Sequence, residues 1–492
     1  MYYSATAVET QNDEYKLNAP KWKKIRNVLS NDVVEYLRDA GKNEPTDPEK
    51  AARQQEYIDG SYFLDFTSPT FNAYSKSMFM SEPDINIAEK APEIAYLLEN
   101  VDGSGNGLIQ QMKRASFDIC TIGNGLLWVD MPGSDGNTAK VDQQGGGSSA
   151  RIIFYPAESI IDWRTETING TEVLVWLKLA ELVTNDVNEF ERTYYTQYRI
   201  LQLNSNGHYT KRLVTPYNPP EGTKREQGQD YTELQVFYNE STRDFGIEVK
   251  EDGQFMTSIP VYPIGVMSND WHIDKAPAYS MSCLNIAHYR NTADHEEELS
   301  MIAQKMLAIY PNERVTPEEW HKFNPNGVRF GSRVGITVPG GKAEILEPTS
   351  GGSLESALRR KEEQALSIGA ELTRTDGDST ATASRIQRGS TVATLSGVCD
   401  NISSAYTEAS KQVARFNGLK DDEISIQLQK SFFFEKATAQ ERAQWMAEVN
   451  SGILPVSTYY SWLRNRGEID LSDDEIKSEL ESGGMGGPQG IE

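Results

Sequence analysis

From Val392 to Phe416 the apolar positions Val392, Leu395, Cys399, Ile402, Tyr406, Ala409, Val413 and Phe416 are spaced by alternating steps of three and four. Only a long helix gathers residues at that spacing onto one stripe. The stripe is either a seam packed lengthwise against other helices or the buried face of an ordinary core helix. Both readings require the helix. Tyr279 to Ala308 contains no Pro or Gly and predicts another long helix, which would span ~45 Å at the helical rise per residue. Ser353 to Leu372 predicts one more.

The rest of the chain is organised around these helices. Pro311–Pro348, between two of them, is a small region of different character, with Val328–Phe330 and Val334–Val338 as expected strands. Upstream, Pro20–Arg38 reads as an amphipathic helix with Trp22, Ile25, Val28, Leu29, Val33 and Leu37 on one side. Asn43–Lys50 is a polar break. Asn106–Thr121 predicts a helix that stops at Gly123-Asn124-Gly125, and Leu126–Met131 then reads as a buried strand. Pro132–Ala150 is a loop rich in Gly, Ser, Asp and Gln. Between Arg151 and Val266 the pattern is β, with strands expected at Arg151–Tyr155, Val173–Ala180, Thr193–Leu203, Glu233–Tyr238 and Ile259–Val266. Ile424–Leu428 reads as a strand. Capping boxes at Thr438–Glu441 and Ser472–Glu475 open helices reaching about Asn450 and Glu481. Gly483–Gly490 should be disordered. The class is α+β.

Composition and motifs argue against catalysis. The 492 residues carry a formal net charge of −24, so the chain has no global attraction for nucleic acid. No apolar run is long enough to cross a bilayer, and Met1–Leu17 lacks the pattern of a secretory signal. The three cysteines, Cys120, Cys283 and Cys399, fit no metal spacing and no even disulfide set. His288 and His295 lie seven apart, which matches no standard zinc motif, and are expected on a solvated or subunit-facing helix surface. Gly340-Gly341-Lys342 lacks the upstream glycine and following hydroxyl of a phosphate loop. Gly103–Gly107 has no strand leading into it and reads as a helix lead-in. Cys283 and His288 would face different ways on one helix, and Asp473-Asp474 reads as a cap. No enzyme activity, cofactor or metal is expected.

Several stretches resemble the portal proteins of tailed bacteriophages, in particular the portal-like family with an N-terminal Trp helix. They are Trp22–Leu37, Tyr57–Pro83 (YIDGSYFLDFTSPTFNAYSKSMFMSEP), Gly107–Pro132 (GLIQQMKRASFDICTIGNGLLWVDMP) and Tyr155–Trp163 (YPAESIIDW). Leu284–Asp294 (LNIAHYRNTAD) and Ser379–Leu395 (STATASRIQRGSTVATL) complete the set. The resemblance covers about Lys21 to Leu480. Met306–Val315 (MLAIYPNERV) departs from the hydrophobic segment and glycine turn usual after the stem helix.

The resemblance implies a portal-like subunit: N-terminal arm 1–19, mixed α/β wing 20–278, stem helix 279–308, clip 309–352 and second stem helix 353–372. A tunnel loop 373–384, a tunnel helix with wing return 385–430, a helical crown 431–482 and a disordered tail 483–492 follow. It implies a homo-oligomeric ring, dodecameric by family habit, at one capsid vertex of the virion, assembled in the host cytoplasm. The genome would be packaged and ejected through it. Its implied partners are the terminase large subunit, the head-to-tail adaptor, major capsid and scaffolding protein, and duplex DNA passing non-specifically, with no membrane. The implied channel residues are Arg374, Asp376, Gly377, Asp378, Arg385 and Arg388, the basic ones equally readable as bridges between subunits. The implied clip contacts are Glu318, Glu319 and Lys322. Rival readings are another virion component such as a tail-tube or baseplate subunit, a hydrolase with an unrecognised site, or a cellular scaffold.

Overall fold

The computed structural model describes residues 2–38, 48–87, 91–131, 149–186, 189–217, 237–240, 247–251, 253–303, 306–325, 337–346, 352–368, 381–430, 432, 439–465 and 476. The chain divides into two compact units. Unit one comprises Met1–Lys23, Phe71–Tyr279 and Thr375–Glu492; unit two comprises Lys24–Thr70 and Ser280–Arg374.

In chain order the helices are α1 (Ala5–Val8), α2 (Asp13–Leu29), α3 (Pro48–Asp59), α4 (Thr67–Ser77), α5 (Leu108–Ile122) and α6 (Tyr279–Ala303). They continue with α7 (Pro317–Phe323), α8 (Ser353–Ile368), α9 (Ala381–Phe416), α10 (Ala439–Asn450) and α11 (Val456–Asn465). The strands run β1 (Tyr2–Ser4), β2 (Asp84–Ile85), β3 (Asn124–Asp130), β4 (Arg151–Pro156), β5 (Ile160–Ile168) and β6 (Thr171–Asp186). After them come β7 (Arg192–Leu203), β8 (Tyr209–Tyr217), β9 (Phe237–Glu240), β10 (Ile247–Glu248) and β11 (Lys250–Glu251). The last are β12 (Gln254–Phe255), β13 (Val261–Gly265), β14 (Met306–Tyr310), β15 (Lys342–Leu346) and β16 (Ile426–Gln427).

Unit one holds an antiparallel sheet in the order β1-β9-β8-β7-β6-β5, with β10 also on β8, and a second antiparallel sheet, β13-β3-β4. The inner face of the larger sheet supplies Leu174, Leu177, Leu179, Leu201 and Tyr209 to a core shared with Leu126, Trp128 and Tyr155. Leu177 and Leu201 are directly opposed across β6 and β7, and both are fully buried. The polar members of that core are satisfied. Glu181 accepts from Tyr155, Gln197 and Arg199, and Trp128 Nε1 donates to Tyr209. Lys211 is held 2.7 Å from Asp130.

Leu395, Val398, Cys399, Ile402, Tyr406, Ala409 and Val413 on α9 are all buried. The stripe packs on β13, β3, β4 and β16, with α5 as its principal helical neighbour. The stripe is therefore covered mainly by strands, and of the two readings the sequence left open this is the buried face of a core helix. Tyr406 donates to Gln111 Oε1, and Gln111 Nε2 donates to the Ile152 carbonyl, tying α9 to α5 and α5 to β4. Asn401 Nδ2 reaches the Gly265 carbonyl at 2.8 Å, fixing α9 to the end of β13.

Other boundaries shift for local reasons. The amphipathic segment expected at Pro20–Arg38 starts earlier, because Asn12 Oδ1 accepts from Glu14 N and caps a helix opening at Asp13. It ends at Leu29, since Asn31 takes a left-handed φ of 60°. Val33 and Leu37 are buried all the same, at the edges of a 3₁₀ turn over Val34–Tyr36. The α5 stop is as expected, with Gly123 left-handed at φ 101°. The expected helix to Ala308 ends at Ala303 instead, because Met306–Tyr310 pairs as an antiparallel strand with Lys342–Leu346. The strand expected at Val328–Phe330 lies outside the described residues, and Thr337–Val338 is not a strand. The helix expected at 472–481 and the tail also lie outside them, Ile476 excepted. The residue pattern did not disclose β5, β8, α7 or α11.

Replacing Leu177 by Ala removes one half of the opposed pair at the centre of the larger sheet. The expected loss is about 2–5 kcal/mol of unfolding free energy, measured by urea denaturation with an unchanged m-value.

Candidate functional site

The region in which the sequence placed partner contacts is built around α6 and α8 in unit two. The first half of α6 is anchored. Met281, Ser282, Asn285, Ile286, His288, Tyr289, Thr292 and Ala293 are buried. Asn285 organises the start of α4: its Oδ1 accepts from Thr67 Oγ1 at 2.8 Å and its Nδ2 donates to the Leu64 carbonyl at 2.8 Å. Tyr289 stands edge-on to Phe63 with ring centroids 5.4 Å apart. Together with Val28, Val33, Leu37, Tyr57, Ile286 and Ala293 it forms the core of this unit. Tyr57 donates to Asp294, and Arg38 pairs with Glu297 at 2.6 Å.

Past Asp294 the helix α6 has no buried residue among those described, and Leu299 and Met301 are exposed. On α8 only Ala365 is buried, and Ile368 is exposed. Between the two helices, β14 and β15 form an antiparallel two-stranded sheet in the register Met306↔Leu346 to Tyr310↔Lys342. Lys342 sits 5.3 Å from the centroid of the Tyr310 ring and 2.6 Å from Glu344. Asn324 is the one buried residue described in this insert. Its Nδ2 donates to the Thr337 carbonyl at 3.0 Å and fastens the end of α7 to the segment leading to β15. Tyr310, Phe323 and Ile345 are exposed.

Glu318, Glu319 and Lys322 all lie on α7 and are exposed. They do not form one free charged patch. Glu319 closes a capping box: its backbone N–H donates to Thr316 Oγ1, and its carboxylate accepts from Thr316 N. Glu318 and Lys322 are four apart, with the acid at the positive end of the helix and the base at the negative end. Arg374, Asp376, Gly377 and Asp378 lie outside the described residues. Arg385 and Arg388 fall in the first turns of α9, where the backbone alone is described.

His288 is not on a solvated surface, which corrects the sequence reading. It is buried edge-on to Phe66 at 5.9 Å, with Nε2 3.3 Å from Glu362 Oε1 on α8. His295 is partly exposed, beside Glu298. Among the described residues no group of three His, Cys, Asp or Glu is placed to hold a metal, and no helix is long and apolar enough to cross a membrane. Cys120 and Cys399 are buried, and burial raises both thiols, that of Cys399 to about 12. At Gly103–Gly107, Asp102 Oδ1 accepts from the amide and hydroxyl of Ser104. A Cβ on Gly107 would collide with the Leu98 carbonyl oxygen. The loop thus closes on its own side chains at the start of α5.

Residues 277–417 match a family described as a domain of unknown function (DUF4055). The match runs from the start of α6 through the insert and α8 to the end of α9. No curated protein matches the chain. Among solved structures, a chain from the virion of a native gene transfer agent (GTA) particle aligns at 13% identity and a TM-score of 0.41. The alignment covers 83% of this chain and 92% of that one. A chain from the neck of an empty GTA particle computed with C6 symmetry aligns at 12% identity and a TM-score of 0.40. It covers 89% of this chain and 93% of that one. Overlap of this size fixes neither a shared fold nor a shared role.

Burial holds the His288 imidazole below its ordinary range, while Glu362 pulls it up and Lys361 lowers it slightly further. The unfolded chain takes up this proton near pH ~6.5. Stability carried by neutral His288 is therefore complete above about pH 6.5 and is lost as pH falls through the lower folded value. His288→Gln should flatten the decline in unfolding free energy from about pH 7 to 5 relative to the native chain. Equal slopes for the two proteins would remove His288 from the acid response.

Proposed function

We propose that the chain is a portal subunit of a phage-like virion, in which copies close into a ring at a capsid vertex and DNA is packaged and ejected through the central channel. The observation that carries this reading is the insert on α6 and α8. A two-stranded sheet alone is marginal in water. Here one stands between helices whose adjoining stretches are themselves bare, with Leu299, Met301, Tyr310, Phe323 and Ile345 exposed. Such a projection makes physical sense when neighbouring copies and docking partners cover it. The stretches that resemble portal proteins include Leu284–Asp294 in α6 and the entry to α9, and the order helix, insert, helix, long helix is the one that resemblance implies.

The charge fits the same role. A conduit for DNA must not hold phosphates, because each contact would resist sliding. The net charge of −24 supplies that repulsion. On this reading the α6–α8 pair is the stem, and 309–352 is the clip that receives the terminase large subunit and later the head-to-tail adaptor. The tunnel loop starts at Thr373 and, instead of reaching the expected Ser384, gives way to α9 at Ala381; Asp376 and Asp378 repel the DNA backbone, with Arg385 and Arg388 in the first turns of α9. A mostly β tail-tube or baseplate subunit would lack a helix such as α9, which runs 36 residues.

Native mass spectrometry and negative-stain images of the purified chain should show a closed ring, most simply a dodecamer, with a hole wide enough for duplex DNA. Monomer alone across a wide concentration range would overturn the reading. Within the ring, exchanging Glu318→Lys and Lys322→Glu while sparing the capping Glu319 should weaken binding of the terminase large subunit and leave assembly intact. Unchanged affinity would move the docking surface off α7.

A further inference from the structure

The far half of the β6–β7 hairpin has no third strand among the described residues. β5 pairs with β6 only from Thr171 to Leu179, and β8 pairs with β7 only from Tyr198 to Leu203. β6 and β7 stay paired beyond both, from Glu181↔Gln197 to Asp186↔Arg192. The six registered pairs make a ribbon of ~20 Å. It carries large apolar residues into solvent: Leu182 is 73% exposed, Tyr194 64% and Phe190, beside the turn, 88%. Glu189 and Glu191 flank Phe190 and are exposed as well.

The outer face of the same sheet holds a concavity of opposite character. Asp162, Lys178, Ile200 and Arg212 stand in one cross-strand row, next to the pair Arg164 and Trp176. Between this face and the segment Ala7–Thr10 lies a cavity of about 220 Å³. Its floor is fixed, because the buried Lys178 Nζ donates to the Val8 and Thr10 carbonyls. Arg164 lies 4.6 Å over the Trp176 ring. Among the described lining residues Arg164, Lys178 and Arg212 stand with the Asp162 carboxylate, a net basic lining in a chain whose net charge is −24. Sites for drug-sized ligands run about 300–1,000 Å³; this one has room for a large side chain.

We propose that the β6–β7 ribbon of one copy seats Phe190 in this cavity of the neighbouring copy, with Glu189 and Glu191 against Arg164 and Arg212. The occupant cannot be the chain's own ribbon. β6 carries Trp176 and Lys178 of the cavity and then runs on into the ribbon, so the strand itself holds the tip away from its own cavity. The contact is heterologous, joining two different surfaces that every copy possesses, and such contacts close into rings when the rotation closes. It rests on the ring assembly proposed above and names one joint of it. Acid on the ribbon and base in the cavity also give two strongly acidic copies a place to meet without repulsion.

Four full-length proteins test it by sedimentation and native mass spectrometry: the native chain, Arg164→Glu with Arg212→Glu, Glu189→Arg with Glu191→Arg, and all four changes together. Each pair alone should raise the concentration needed for half-assembly about tenfold or more, as like charges meet at the joint. The fourfold variant should return towards native behaviour, and Phe190→Ala should weaken assembly by itself. Circular dichroism shows whether the cavity variant folds; the ribbon variant, changed only at exposed positions, gives the answer if it does not. A native chain that never assembles defeats the ring and this joint together. A native ring that tolerates the ribbon changes, or cavity changes that the ribbon changes do not rescue, defeats the joint alone.

Discussion

The stripe of α9 on the β13-β3-β4 sheet is the contact on which unit one depends. Eight buried apolar residues, from Leu395 to Val413, lie on the helix that covers strands nearly continuous in apolar character. Leu126 to Val129 on β3 are all buried. A strand covered on both sides needs such a run, and a helix covering it needs the three-four stripe. The polar ties at Tyr406, Gln111 and Asn401 sit at the margins of this layer, so α9 is held in register along its length as well as pressed onto the sheet. The larger sheet shares part of the same core through Trp128 and Tyr155, which couples its inner face to the smaller one.

Unit two follows a different economy. Its interior is drawn from four short segments, and one half of α6 is spent on it. The remaining half of α6, the insert and most of α8 contribute almost nothing to burial. Order in that region comes from local devices instead: a paired ladder, a capping box and an amide clamp at Asn324. Local devices each contribute about 1 kcal/mol, enough to shape a projection and too little to hold it rigid alone. On the proposed role, rigidity comes from the neighbouring copies.

Electrostatics works at two scales. Among the described residues every acidic side chain but that of Asp118 is at least partly exposed. Inside, charges are matched: Arg199 with Glu181, and Lys211 with Asp130. Burial of the first pair costs solvation that its hydrogen bonds to Tyr155 and Gln197 offset. The cavity on the outer face is lined, among the described residues, by Arg164, Lys178 and Arg212 together with Asp162.

The sequence by itself determined the elements whose signal is local. The α9 stripe, the glycine stop of α5 at Gly123, the β character of 151–266 and the small region between two long helices are legible because periodicity and turn chemistry act within a few residues. What only the tertiary structure decided is what each element meets. A three-four stripe looks the same whether strands or helices cover it, and here strands do. His288 reads as a surface histidine until Phe66, more than two hundred positions earlier, is laid against it. Glu319 reads as a contact charge, although its carboxylate closes a cap, and the Thr316-to-Glu319 spacing was the signal that showed it. Met306–Tyr310 became a strand because a partner thirty-odd residues later offered its backbone, which no propensity within the segment can report. The overhang of β6 and β7 is of the same kind: their lengths follow from composition, but where their neighbours stop pairing is settled by the register of the whole sheet.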